Sequence, residues 1–502
     1  MSTNDPGHAL VRDAVSTRGV LFQSVTTMGP GVGLAFSIGV GAGFAGGGLT
    51  LSVVIALVAC LLVAFSIGQL AQHLPSAGGP AAYAARGLHP IIGAIVAWGY
   101  SFTYLLALPF LALLMGFFPA GILVTQFGWD FGVSWVACAM LGLAISFVIN
   151  YGGIKENTRV GVVLGAFEIA AFTALAITLI VVGKHNGLDN LSTKYANVPG
   201  FVGISGVFAG SVYAILAFIG FDASAPLGEE AKNPKRAVKF AVIGSALMVG
   251  IYYLVAMYGA EAYLGPQGFS SFGTLNASDP WILLAKDVWG IGWLIILLAL
   301  LNSAVANTNG IANASTRVFW ALGRARILPK ALSDTHPRLG TPRVATIGIF
   351  LLAVILTLWL GEAYTPTVAY GLLGTMVVGL VIPIYMILNI ASFGYYWRFA
   401  RKEFNVLKHV IIPILGVAAF VFPFLAGLGL AVVSFIAPLT PPISYAGPVV
   451  IALYVIGIIV VVYHWVTHPE RVMAMGNTLG DDGTMGGGET PPPLAIPGVV
   501  PG

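Results

Sequence analysis

Charge is what this sequence has least of. Its 502 residues include 23 Lys and Arg and 19 Asp and Glu, so 8% are charged, against roughly a quarter in an ordinary soluble domain. A soluble chain of this length needs a charged shell, and there is too little charge here to build one. Soluble enzymes, nucleic-acid binders and disordered proteins are excluded on that ground. Cysteine is nearly absent too. Cys60 and Cys138 both fall in apolar runs, which argues against a disulfide framework. No G-x-x-x-x-G-K-[ST] loop occurs, so an ATP-driven pump is disfavoured. The polar stretch Met1 to Arg18 lacks the short apolar core of a cleaved signal. The first apolar segment is therefore expected to be retained.

What the chain does have is apolar length. Hydrophobic residues make up 58%, and mean hydropathy is +0.91. One spanning helix needs about 20 apolar residues. Twelve segments meet that need, at about 19–46, 50–73, 91–118, 133–151, 159–183, 203–229, 237–263, 289–323, 343–361, 365–393, 409–436 and 445–467. Lipid leaves only helices or closed barrels, and these runs are too long and uniform for barrel strands. The expectation is an all-α integral membrane protein with 12 transmembrane helices.

The cations orient it. With a cytoplasmic N-terminus, 20 of the 23 Lys and Arg fall on inside segments and only Lys184, Lys194 and Lys286 fall outside. The positive-inside rule then places both termini in the cytoplasm. Arg317, near the inner end of the eighth segment, is expected to snorkel. From Met473 the chain turns rich in Gly, Pro and acids and reads as a disordered tail.

Two segments look broken. The first carries Met28-Gly29-Pro30-Gly31-Val32-Gly33, and the sixth carries Phe218-Ile219-Gly220-Phe221-Asp222 with Pro226 beyond. These are the first helices of segments 1–5 and 6–10. Five is odd, so the second set starts on the opposite side. That pattern is a 5+5 inverted repeat, and matched broken helices point to a transporter site. Unwinding frees N–H and C=O groups. Half-helix N-termini attract a carboxylate and freed carbonyls attract an ammonium, so the two breaks suit a zwitterion.

Two carboxylates stand where lipid penalises charge: Glu168 and Asp222. Glu168 lies nine residues past Arg159, about 13 Å deep at 1.5 Å per residue. Two roles fit it: a proton carrier, or a protonated structural acid bonded to a neighbouring helix. Asp222 either locks the second break by accepting freed amides or faces a substrate amine. Asn302, Asn309 and Asn313 share roughly one helical face while Asn307 points elsewhere. Such amides commonly hold helices together. Trp98, Tyr100, Phe102 and Tyr104 crowd the third segment, mostly as packing. Gly41-Ala42-Gly43-Phe44-Ala45-Gly46 matches a dinucleotide fingerprint but lies in a membrane helix, where close packing explains it.

Three further stretches carry a resemblance. One is Leu74-Pro75-Ser76-Ala77-Gly78-Gly79-Pro80 followed by Tyr83. The second is Gly220-Phe221-Asp222 leading into Gly228-Glu229-Glu230-Ala231-Lys232-Asn233-Pro234-Lys235-Arg236-Ala237. The third runs from Arg317 through Leu322-Gly323-Arg324 to Leu328-Pro329. In these the chain resembles the amino acid–polyamine–organocation transporters over about residues 19–467. The resemblance implies a leucine-transporter-type fold with broken helices 1 and 6, and alternating access. It implies that a substrate carboxylate binds at Thr27, Met28, Gly29, Gly31 and Val32. The amine would meet Met28, Phe218 and Ile219 beside Gly220, and the pocket would draw on Leu216 and Phe221. Three departures stand out. Gly29-Pro30-Gly31 replaces a Gly-Ser-Gly common in relatives, and Pro30 offers no N–H. Gln69 stands where many relatives have Glu. Glu168 lies near the position of a Lys in some proton-coupled relatives, which keeps a titratable group and reverses its charge logic.

The reading is an amino acid permease of the plasma membrane, coupled to protons through Glu168 and Asp222. The alternatives are an amino acid/amine exchanger or polyamine carrier and, from another class, a transport-like receptor. Residues 1–18 form a cytoplasmic segment and 19–467 the transporter domain. Within it, 19–183 and 203–393 are the repeats and 409–467 an added helix pair; 468–502 is the tail. Expected partners are a small amino acid or amine, protons and the bilayer. No nucleic acid, cofactor, metal or catalytic residue is expected.

Overall fold

The computed structural model describes residues 15–473 apart from 77, 153, 270–271, 273–279, 338, 433–435 and 437–438. Asn276, Arg338, residues 1–14 and the tail from 474 lie outside the described residues. The chain is almost wholly helical. Helix α1 (Thr17–Met28) is followed by the single turn α2 (Pro30–Val32), a π-helical turn (Gly33–Ile38) and α3 (Gly39–Ala45). Next come α4 (Leu49–Ala71), α5 (Pro80–Gly87), α6 (Pro90–Phe127), α7 (Phe131–Tyr151) and α8 (Ile154–Val182). A two-stranded antiparallel hairpin, β1 (Asn197–Val198) and β2 (Phe201–Val202), precedes α9 (Ile204–Phe218). The chain continues through α10 (Pro234–Leu264), α11 (Pro280–Trp289), α12 (Trp293–Arg324), α13 (Arg343–Tyr364) and α14 (Pro366–Arg398). It closes with α15 (Ile412–Gly427), α16 (Ala446–Thr467) and α17 (Pro469–Met473).

Among the described residues, ten helical stretches are long and apolar enough to cross a membrane. The stretch Thr17–Ala71 is one of these ten and contains two of the expected segments. Ile204–Phe218 is a shorter apolar helix, because the chain leaves the helix at the second break. Several boundaries differ from expectation, those at the two ends among them. Thr17 and Arg18 already belong to α1, and α17 lies within the expected tail, with Val472 buried. Both ends are held by contacts that hydropathy does not register.

Helices α6 and α14 are the most buried, whereas α15 and α16 leave most of their surface outside the bundle. Close approaches follow small residues. A Cβ on Gly210 of α9 would stand 2.7 Å from the Ala45 Cβ of α3, so the glycine-rich stretch from Gly41 is a packing surface.

Candidate functional site

The first break is local chemistry made visible. Pro30 has no N–H to continue the ladder of α1. Gly29 takes the left-handed φ of 52° that a helix C-cap favours, and its N–H returns to the Thr26 carbonyl at 3.1 Å. Pro30 then starts the next turn, the position where its fixed φ helps. At the second break α9 ends at Phe218, and Gly220 adopts a φ of 120° that a side chain resists. Short turns follow: the Ala223 N–H meets the Gly220 carbonyl at 3.0 Å, and that of Ala225 meets the Asp222 carbonyl at 2.8 Å.

The two breaks meet. A Cβ on Gly220 would lie 2.8 Å from the Thr27 carbonyl oxygen and 2.9 Å from the Met28 nitrogen. Ser24, a turn earlier, donates to the Phe221 carbonyl at 2.7 Å and accepts the Ser224 N–H at 3.2 Å. Thr27, Met28, Gly29, Gly31, Val32, Ile219 and Gly220 thus come together in one buried neighbourhood. The side chains of Phe218 and Phe221 point elsewhere: Phe218 packs on Tyr253 of α10, and Phe221 on Tyr385 of α14. Leu216 sits with Phe110 of α6 against Gly374 of α14.

Helix α12 seals the first break from the side. Ser303 accepts the Val32 N–H, a donor freed by the break, at 3.0 Å. Asn307 lies against Gly29, and a Cβ on Gly310 would stand 2.7 Å from the Thr27 Cα. Positions 303, 307 and 310 recur at helical spacing. The asparagines at 309 and 313 tie helices together as expected of such amides, and Asn307 points elsewhere. Asn307 is the one on the break. Asn309 accepts from Asn150 of α7 at 2.7 Å, and Asn313 donates to Gln23 of α1 at 3.0 Å. Helix rotation decides this, and spacing alone leaves it open.

Glu168 of α8 is wholly buried beside the break, facing the Gly31 backbone and the Ser303 side chain. The Ser303 hydroxyl and the Gly31 N–H face its carboxylate without closing a hydrogen bond of ordinary geometry. Asp222 is also wholly buried but fully engaged. Tyr100 of α6 donates to its Oδ2 at 2.8 Å and Tyr385 of α14 to its Oδ1 at 3.1 Å. Tyr104 stands 3.1 Å from the Tyr100 hydroxyl. The carboxylate is thus held by tyrosine hydroxyls from two other helices, where freed backbone amides were the expected donors.

The expectation that only two carboxylates are withdrawn from water is corrected. Glu230 and Glu261 are buried as well. Glu261, three residues from the end of α10, accepts the hydroxyl of Thr50. Glu230 pairs with Arg317 at 3.0 Å, with both side chains almost fully buried. Arg317 therefore does not snorkel. A partner reached across the fold satisfies its charge, which no local reading reveals. The sequence reading likewise missed Ser24, Gln23 and Ser303; polar residues in apolar helices are the available signal. A separate pocket, lined by Phe44, Phe201, Tyr213, Thr375, Gly427 and Leu439, lies toward the hairpin rather than at the breaks.

Comparison with known proteins places this geometry in context. The sequence model of the amino acid permease family matches residues 15–463. A branched-chain amino acid permease of Lactococcus lactis is 27% identical over 333 residues, covering 63% of this chain and 68% of that protein. A low-affinity putrescine importer of Escherichia coli is 26% identical over 326 residues, covering 64% and 69%. A chloroplastic cationic amino acid transporter of Arabidopsis thaliana is 28% identical over 375 residues, covering 70% and 60%.

Proposed function

The chain belongs to the amino acid permease family, and from that premise we propose that it carries amino acids across the plasma membrane by alternating access, driven by protons. It is a multi-pass membrane transporter of small molecules and not an enzyme. The observation that carries the finer reading is the meeting of the two breaks at Gly220 and Thr27, with the buried Glu168 carboxylate beside the first. Breaks supply backbone poles for a zwitterion, and a buried acid next to them couples protonation to the same element.

The architecture in this reading is twelve transmembrane helices. Two inverted repeats of five cover about 19–183 and 203–393, and a peripheral pair covers about 409–467. The peripheral position of α15 and α16 supports the added pair. Both termini face the cytoplasm, supported by the division of 20 cations against 3. The substrate carboxylate meets Thr27, Met28, Gly29, Gly31 and Val32. Its amine meets the carbonyls of Met28, Phe218 and Ile219 near Gly220, and its side chain lies toward Leu216, while Phe221, packed on Tyr385, stands behind the second break. Glu168 is the proton site, and Asp222 fixes the second break.

A second reading, an exchanger or a carrier of polyamines, draws on Pro30, which removes one donor for a carboxylate, and on the putrescine importer among the relatives. A labelled panel of amino acids and amines in proteoliposomes, with and without a pH gradient, tests both. Uptake of zwitterions that only zwitterions displace supports the first reading. Uptake of amines alone overturns it.

A further inference from the structure

The outside of the bundle carries an apolar groove that ends between two lysines. Helix α4 packs against both α10 and α15, which make no comparable contact with each other, so α4 is the floor and the other two are the walls. Most of α4 is buried, yet Val54, Val58, Leu61 and Phe65 are partly or fully exposed along a single helical stripe. Toward the end of the bundle that carries Val15, Lys239 of α10 lays its stem on α4. A Cβ on Gly68 would stand 3.4 Å from its Cγ. Lys408 arrives from the other wall, on the π-helical turn Leu407–Ile411 that leads into α15. That turn is fixed locally. The Asn405 side chain accepts the Lys408 N–H at 3.1 Å, and His409 Nδ1 accepts the Asn405 N–H at 2.9 Å. The His409 ring stacks on Tyr396 of α14 at 3.7 Å. Lys239 and Lys408 thus come within electrostatic reach of each other. Glu403 faces Lys239 as well, but its carboxylate reaches His73 at 3.3 Å. Neither lysine forms an ion pair among the described residues. Phe240 and Leu407, each next in sequence to one of the lysines, are exposed.

We propose that this groove holds an anionic phospholipid, with its phosphate between Lys239 and Lys408 and one acyl chain along the α4 stripe. Like charges held side by side repel. A lipid phosphate between them replaces that repulsion with attraction from both sides, and basic pockets between membrane helices bind headgroups in this way. Lysine suits the position, because its stem covers apolar surface while its ammonium stays at headgroup level. The fixed turn under Lys408 lowers the ordering cost of binding. A free phosphate would use the lysines alone. The stripe on α4, with Phe240 and Leu407 at its rim, gives an acyl chain a place as well, and that favours a lipid. Once seated, the lipid joins α10, the helix that follows the second break, to α4 and α15. The proposal stands on the membrane-spanning bundle and is independent of which substrate is carried.

The test is native mass spectrometry of the full-length protein in detergent, titrated with phosphatidylglycerol and with phosphatidylcholine of the same acyl chains. The parent is expected to bind phosphatidylglycerol roughly ten-fold tighter, the scale that two cations at the membrane surface supply. Lys239→Gln combined with Lys408→Gln is expected to erase most of that preference, and Lys239→Arg combined with Lys408→Arg to keep it. Val58→Trp fills the stripe with both charges in place and is expected to weaken phosphatidylglycerol binding several-fold. Lys194→Gln combined with Lys286→Gln removes the same charge at the opposite end and is expected to leave the preference intact. An unchanged preference in the monodisperse Lys239→Gln and Lys408→Gln protein overturns the proposal. An equal loss in the Lys194→Gln and Lys286→Gln protein overturns it too, because net charge would then be the cause. Full phosphatidylglycerol binding by Val58→Trp overturns the lipid and assigns the lysines to a free phosphate.

Discussion

Gly220 lies against the Thr27–Met28 peptide, so close that a first side-chain carbon would stand 2.7 Å from the Thr27 carbonyl carbon. The breaks therefore touch backbone to backbone, and the contact admits only glycine. Gly220→Ala meets two penalties. Its φ of 120° strains an L residue, at about 1–3 kcal/mol, and the added methyl pushes on main chain that cannot swing aside. The expected result is a lower melting temperature and loss of uptake. Thermal unfolding and flux on the same preparation check it, and normal transport by the variant would contradict the contact.

The buried pair Arg317–Glu230 leads to an asymmetric prediction. Arg317→Met leaves a carboxylate buried without its partner, which costs about 3–5 kcal/mol. Removing both charges with Arg317→Met and Glu230→Leu recovers most of that loss, because the contact is then merely apolar. Melting of the single and double variants decides it. Equal destabilisation in both would mean that the charge pairing is not what the contact depends on.

The Asp222 clamp separates a lock from a substrate contact. Tyr100→Phe and Tyr385→Phe each remove a hydrogen bond to a carboxylate, at about 1.5–3 kcal/mol. Both are expected to slow turnover while the order of preferred substrates stays the same. Asp222→Asn keeps one oxygen for the tyrosines and is expected to be milder. A selective loss of cationic substrates in Asp222→Asn would instead mean that the acid faces the substrate.

Asn307 makes a prediction of its own. Its amide lies against Gly29, where the left-handed turn exposes backbone. Asn307→Ala leaves space at the first break and is expected to raise KM several-fold with melting little changed. A variant with normal KM and a large loss of stability would assign Asn307 to packing alone.

Local features were legible in the sequence, and rotational ones were not. Gly29-Pro30 and Gly220 announced their breaks because a missing N–H and a positive φ are properties of single residues. The depth of Glu168 could be counted along one helix. The partners of Arg317, the burial of Glu261 and the placement of Asn307 depend on which way a nearly uniform apolar helix turns. Hydropathy carries little phase information when every face is apolar. Ser24 and Ser303 escaped for the same reason: each is an ordinary helix serine until the break opposite it offers a free backbone group.

Glu168 holds the central claim, because its buried carboxylate beside the first break is the group assigned to couple protons to transport. The most direct measurement is accumulation of a labelled amino acid in proteoliposomes under an imposed pH gradient, comparing the parent with Glu168→Gln. The account predicts that the parent concentrates substrate, while Glu168→Gln still exchanges it across the membrane but no longer concentrates it. Accumulation by Glu168→Gln that still follows the pH gradient would contradict the account.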